Sequence, residues 1–215
     1  MTLKLACEAL PDAPHGSGMY SSEADEYLIS RLVAKDPVAQ RRAFVMLAPL
    51  VRRVLRRTFG PAQEQEDLLQ EVFLRLFNRI DTLRNPEALR AFAVSITVRA
   101  CHAHFKRKRT RSFVRLWANE EAPEPAVHAD TSASQALIHF YGILDHLEAQ
   151  IRIAFVLRFI EGMTETEVAA ALGVSFATGR RRIREAWRRV TILATNDPFL
   201  AEYVDHARAS KPRLP

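Results

Sequence analysis

The stretch that decides the fold runs from Thr164 to Val190, "TETEVAAALGVSFATGRRRIREAWRRV". Thr164 stands three residues before Glu167, the spacing of a capping box, so a helix starts here. Val168, Ala169 and Leu172 give that short helix one buried side. Gly173 supplies the left-handed exit. Val174 plugs the turn, and Ser175 can cap a second helix. In that helix Gly179, Ile183, Ala186 and Val190 recur at i, i+4, i+7 and i+11, which makes one inward face. The opposite side presents Ala177, Arg180, Arg181, Arg184 and Arg188. The pattern predicts a helix-turn-helix. Its DNA-binding form lays the second helix in the major groove, first residues toward base edges. Arginine suits that place, because its planar fork binds guanine bidentately and also grips phosphate. One residue dissents. Gly179 sits where an apolar side chain is expected, and a mid-helix glycine costs about 1 kcal/mol relative to alanine.

Upstream, helical periodicity dominates. Tyr27, Leu28, Leu32 and Val33 form one stripe. Asp36-Pro37 reads as an N-cap with proline at the first helical position. Phe44, Leu47, Leu50, Val51, Val54 and Leu55 carry the next stripe, and Pro49 inside it predicts a kink or a split into two helices. In "EQEDLLQEVFLRLFNRI" the residues Leu68, Leu69, Val72, Phe73, Leu76, Phe77 and Ile80 make one wide apolar face, with Asp67, Gln70, Glu71 and Arg75 opposite. Asn85-Pro86 opens a further helix through Leu89, Phe92, Ile96 and Ala100 into the basic run Phe105 to Arg111. Ala118 to Ser134 is rich in proline and acid and poor in large apolar residues, which reads as a linker. The expected fold class is all-α, two small helical domains on a flexible tether. The expected divisions are an N-terminal arm 1–22, a domain 23–115, a linker 116–134, a helix-turn-helix domain 135–195 and a tail 196–215. A linker with little to pack predicts loosely coupled domains.

Composition bounds the partners. The formal net charge of +6 points to an anionic one, nucleic acid first and a membrane surface second. The longest apolar stretch, around Ala91 to Val98, is too short to span a bilayer, and no secretory signal is visible, so a cytoplasmic protein without membrane insertion is expected. Two cysteines make no disulfide framework. Cys101 lies near His102 and His104, but adjacent helix positions point in different directions, so no metal site is expected. Asp67 and Glu71 share a helix face, yet no further carboxylate or nucleophile motif completes a catalytic site, so neither enzyme nor cofactor is expected.

Three motifs in this order, "EDLLQEVFLRLFNRI", "LRAFAVSITVRACHAHFKRKR" and "LRFIEGMTETEVAAALGVS", resemble bacterial RNA polymerase sigma factors of the extracytoplasmic-function type. The first two resemble conserved region two and the last region four, together spanning roughly Glu23 to Leu193. The resemblance implies that Asp67, Gln70 and Glu71 dock on core RNA polymerase. It implies that Arg90, Arg99, Lys106, Arg107 and Arg109 hold the melted minus-ten promoter element, where single-stranded DNA needs a basic groove. It implies that Ser175, Thr178, Arg180, Arg181, Arg182, Arg184 and Arg188 read the minus-thirty-five element. Phe92 matches a family tryptophan; Arg99 departs from a common asparagine, and Arg181 and Gly179 from the usual serine and valine. An anti-sigma factor is a candidate further partner. The competing reading is a conventional helix-turn-helix regulator that binds duplex DNA without polymerase.

Overall fold

This computed structural model describes residues 22–60, 65–118 and 132–201, with side chains described for 25–60, 65–108 and 135–201. Most of the arm, linker and tail, and the side chain of Arg109, lie outside the described residues. Every described element is helical. The order is α1 (Ser22–Val33), α2 (Pro37–Phe59), α3 (Gln65–Asn78), 3-10 turns at Ile80–Thr82 and Pro86–Ala88, α4 (Leu89–Ala118), α5 (Ser132–Asp145), α6 (Ala149–Phe155), a π turn at Val156–Ile160, α7 (Glu165–Leu172) and α8 (Phe176–Thr195).

Local chemistry sets the boundaries. Asp36 caps α2 by accepting from the backbone N–H groups of Val38 and Ala39 at 3.3 and 3.2 Å, with Pro37 at the first helical position. The expected break at Pro49 does not split the helix; α2 runs through it. Pro49 and Val45 both lie on the exposed side, so the carbonyl that loses its donor, four residues back, faces water. On α1 the buried face is Leu28, Ile29 and Leu32, while Tyr27 and Val33 are exposed. The face is rotated from the expected stripe because α1 packs on the two 3-10 turns as well as on α2.

Helix α4 shows the largest departure from a simple amphipathic pattern. Leu89, Ala93, Ile96, Thr97 and Ala100 are buried on one side, against α2 and α3. Val94, Val98 and Cys101 are buried too, and with Phe105 they follow i, i+4, i+7 and i+11, a second stripe. Cys101 and Phe105 of that stripe meet Arg152 of α6, whose guanidinium lies 5.3 Å from the Phe105 ring centroid. The two sets of helices are therefore docked, against the expectation of loose coupling. Ile153, Ala154, Leu157, Val168, Ala171 and Ile183 share one apolar cluster with α1–α4. Ionic contacts close the seam. Glu161, only 5% exposed, accepts from Arg53 and Arg57 at 2.9 Å each. Arg57 also donates to the carbonyl of Ile160 at 2.9 Å. Arg152 donates to the carbonyl of Thr58 at 2.5 Å and pairs with Asp145. Except for Asp145, seven positions before Arg152 in the same half, the partners lie 94 to 108 positions apart in the chain, and no local pattern announces them.

The helix-turn-helix forms as its sequence requires. Thr164 and Glu167 complete the capping box in both directions. Gly173 adopts φ 66°, ψ 38°, and its N–H and that of Val174 close the end of α7. Ser175 caps α8 by accepting from the Thr178 N–H at 3.3 Å. Gly179 is explained by α7. A Cβ built there would stand 2.7 Å from the Ala169 Cβ and 3.0 Å from its Cα, closer than carbon atoms pack. The glycine lets the two helices of the motif cross.

Two outcomes follow for stability. Gly179→Ala gains helix propensity of about 1 kcal/mol but overpacks the crossing by about 1–3 kcal/mol, so its melting temperature falls, and Ala169→Gly in the same chain restores it. Glu161→Ala leaves Arg53 and Arg57, one turn apart on α2, with no carboxylate to answer them from across the seam. Breaking a buried ion pair costs about 3–5 kcal/mol, and the part exposure of Arg53 puts this one near the lower end. Small-angle scattering then shows an expanded chain with unchanged helicity by circular dichroism; an unchanged radius of gyration overturns the assignment of Glu161 as the closing contact.

Candidate polymerase and promoter interfaces

Helix α8 divides its arginines by direction. Gly179, Ile183, Ala186, Val190 and Ala194 face inward and are buried. Ala177, Arg181, Arg184 and Arg188 are exposed along the opposite side, and Phe176 is 51% exposed at the leading end. Arg180 turns to Glu165 of α7 at 3.7 Å. Arg182 turns to the seam: burial and neighbouring Arg181 hold its pKa below the ordinary value, and its charge depresses that of half-buried His102 on α4 after burial does. Of the seven carboxyl-terminal candidates, Arg181, Arg184 and Arg188 thus share the outer face, Arg182 does not, and the Ser175 and Thr178 hydroxyls bond each other at 3.0 Å in the cap.

Arg188 is already engaged. It donates to Glu185 through Nε and Nη2 at 2.9 and 2.8 Å, and Arg189 donates to the same carboxylate. These bonds, Arg188 first, hold Glu185 down at about 2, so it stays ionised under any working condition. An anion approaching Arg188 competes with an attached carboxylate.

On α3, Asp67 and Gln70 are exposed, but Glu71 is not a free docking group. It accepts from Arg75 and, across to α4, from Arg107 at 2.9 Å. Its carboxyl lies below the usual range chiefly through the Arg107 hydrogen bond, with burial opposing. A polymerase candidate and a minus-ten candidate are therefore each other's partners. Leu74, 65% exposed, completes the outer side of α3. It stands seven residues after Asp67 and four after Gln70, so its place on the polar face was visible in the spacing; its apolar type hid it among the leucines of the core stripe.

The described minus-ten candidates on α4, Arg90, Arg99, Lys106 and Arg107, are exposed but not convergent. Arg90 and Arg99 are nine residues apart, about two and a half turns, and leave the helix on opposite sides. Lys106 follows Arg99 by seven, about two turns, and shares its side. Phe92 is half-buried against the amino-terminal core. Cys101 is buried, its thiol pushed up to about 12 by desolvation, and among the described residues no group of three or more His, Cys, Asp or Glu could hold a metal. Among those residues no helix is long and apolar enough to cross a membrane.

Comparison with known proteins agrees with this geometry. Residues 44–111 match the model of sigma-70 region 2, and residues 140–190 that of sigma-70 region 4; together they cover more than half the chain. The ECF RNA polymerase sigma factor SigE of Mycolicibacterium smegmatis is 27% identical over 179 residues, 80% of this chain and 65% of that protein. The ferric citrate uptake sigma factor FecI of Escherichia coli is 28% identical over 136 residues, 61% of this chain and 77% of that protein. Among solved structures, the sigma factor RpoE in complex with the anti-sigma factor NepR, from Bartonella quintana, superposes with a TM-score of 0.58 at 23% identity, covering 73% of this chain and 97% of that one. CnrH in complex with the cytosolic domain of CnrY gives 0.56 at 21% identity, covering 81% and 99%. These two show the same fold. With region 2 and region 4 both present and in order, the chain belongs to the extracytoplasmic-function branch of the RNA polymerase sigma factors.

Proposed function

We propose that the chain is a dissociable promoter-specificity subunit. Its amino-terminal domain, residues 23–115, docks on core RNA polymerase and holds the minus-ten element. Its carboxyl-terminal domain, residues 135–195, reads the minus-thirty-five element. The observation that carries this reading is the ordered pair of sigma regions, the second ending in a helix whose outer side is a row of arginines. A regulator that reads duplex DNA alone has no use for the first region. The chain acts in the cytoplasm by binding, and the chemistry stays with the polymerase. Two similar sigma factors were solved with bound protein partners, in one case an anti-sigma factor, which supports such a partner here.

Run-off transcription with core polymerase on a promoter library tests the reading. Transcripts that depend on the added chain support it. Tight duplex binding by the isolated chain, with no transcript, overturns it in favour of the conventional regulator.

The polymerase dock is assigned to Asp67, Gln70 and Leu74, with Leu74 as the apolar anchor. Asp67→Arg or Leu74→Ala therefore weakens core binding by ~1–2 kcal/mol, as an interface anchor does, without loss of helicity. Glu71→Ala instead lowers the melting temperature, because it releases Arg75 and Arg107. On the DNA side, Glu185→Gln frees Arg188 for phosphate. Holoenzyme affinity for all promoters rises, and the salt dependence steepens by about one counterion per phosphate gained. An unchanged salt slope removes Arg188 from the phosphate contacts.

A further inference from the structure

Phe176 has no task in the fold of the motif it opens. The cap of α8 is closed by Ser175 and Thr178. The buried face is carried by Gly179, Ile183, Ala186, Val190 and Ala194. Phe176 is the first residue of the helix, with half of its surface in water. Ala177, beside it, is also exposed. Two apolar residues thus lead the helix: Ala177 heads the outer row of Arg181, Arg184 and Arg188, and Phe176 beside it, seven residues before buried Ile183, reaches water at the open leading end.

A helix that enters the major groove presents its first residues to base edges. Three of the four base edges there are read by polar groups alone. Thymine adds a 5-methyl group, and an alanine or phenylalanine side chain is a natural contact for it. The arginine four residues on from Ala177 is one turn deeper along the same groove, placed for guanine or phosphate. The row of arginines fixes the occupant of the neighbouring apolar edge as duplex DNA, since an apolar protein surface gains nothing from the two exposed guanidinium groups of Arg181 and Arg184 at its border. We infer that Phe176 is a specificity-determining residue, which with Ala177 selects thymine by its methyl group at a position adjoining the base read by Arg181. The inference rests on the sigma-factor reading and deepens it, by naming the base class that the leading edge accepts.

The test uses holoenzyme assembled from the full chain and core polymerase. Upstream elements are first selected from duplexes randomised in the minus-thirty-five region. Each thymine of the selected element is then replaced, one at a time, by deoxyuridine, which removes the methyl group and leaves the pairing edge intact. At one or two positions holoenzyme binding falls about four-fold, the worth of one buried carbon. Phe176→Ala lowers affinity for the thymine duplex by at least that factor and is indifferent to deoxyuridine at the same position, while Arg181→Ala relaxes the neighbouring position instead. Two results overturn the inference: no thymine position responds to loss of its methyl, or Phe176→Ala keeps the full methyl response. Weaker binding of Phe176→Ala to core polymerase without DNA overturns it as well, and assigns the ring to the polymerase. A library from which no upstream element is enriched overturns the proposed function itself, a result distinct from selection without methyl dependence.

Discussion

The arrangement of the described helices depends on one buried guanidinium. Arg152 is 1% exposed and is the largest fully buried side chain of the described residues. Burial of a charge is costly unless its donors are answered. Here Nε donates to the Thr58 carbonyl, Nη1 pairs with Asp145, and the plane lies over the Phe105 ring. Thr58 belongs to the last turn of α2, whose terminal carbonyls have no partners within the helix and carry the negative end of its dipole. An arginine from the other half of the molecule completes that helix end.

The completion is reciprocal. Tyr141 of α5 donates to the Arg56 carbonyl at 3.3 Å, again at the end of α2, and its ring packs on Gly60, which caps that helix. In the other direction Arg57 donates to the Ile160 carbonyl, where the π turn ends, and to Glu161 beyond it. Each half thus donates to a helix terminus in the other: the Thr58 carbonyl gains Arg152, and the Arg56 carbonyl, which already accepts from the Gly60 N–H at 2.9 Å, gains Tyr141 as a second donor. Such contacts are specific in register, because a shift of either helix by one residue misplaces every donor. They are also weaker than an apolar seam. Arg57 Nε, Thr58 Oγ1 and Arg152 Nη2 are buried there without a hydrogen-bond partner, and each such group costs about 1–3 kcal/mol. The seam is well defined in geometry and modest in net stability, which suits two domains that engage different partners.

What the sequence disclosed follows from range. The capping box, the left-handed glycine, the Ser175 cap and the inward stripe of α8 are contacts within a few residues, and all were legible at Thr164 to Val190. The wide stripe of α3 was legible for the same reason. The docking of the halves was not, because Arg152 to Thr58 and Arg53 to Glu161 lie 94 and 108 positions apart. The second stripe of α4 was in the letters, but "VSITVRAC" is apolar nearly all round and gives no single face. Gly179 looked like a defect in one helix and is a fit between two. The site was legible by residue type and less so by direction. Arginine content marked α8, while the inward turn of Arg182 and the Glu185 clasp on Arg188 needed coordinates.

Docking also sorts the candidate residues into those it uses and those it leaves outside. Arg182 and His102 face the seam, and Glu71 and Arg107 fasten α3 to α4. Asp67, Gln70 and Leu74 on α3, Arg99 on α4, and Phe176, Ala177, Arg181 and Arg184 on α8 remain exposed together. The seam is made from different sides of these helices than the candidate contacts are. Helix α4 shows this most clearly, with one side against α2 and α3, a second meeting Arg152 of α6, and Arg99 on what is left. Closing the molecule therefore does not conceal the outer face of α8. What it fixes is the distance and orientation between that face and the exposed arginines of α4. In the proposed reading a promoter with two separated elements must match that spacing, and the Arg152 and Glu161 contacts are what oppose a change in it.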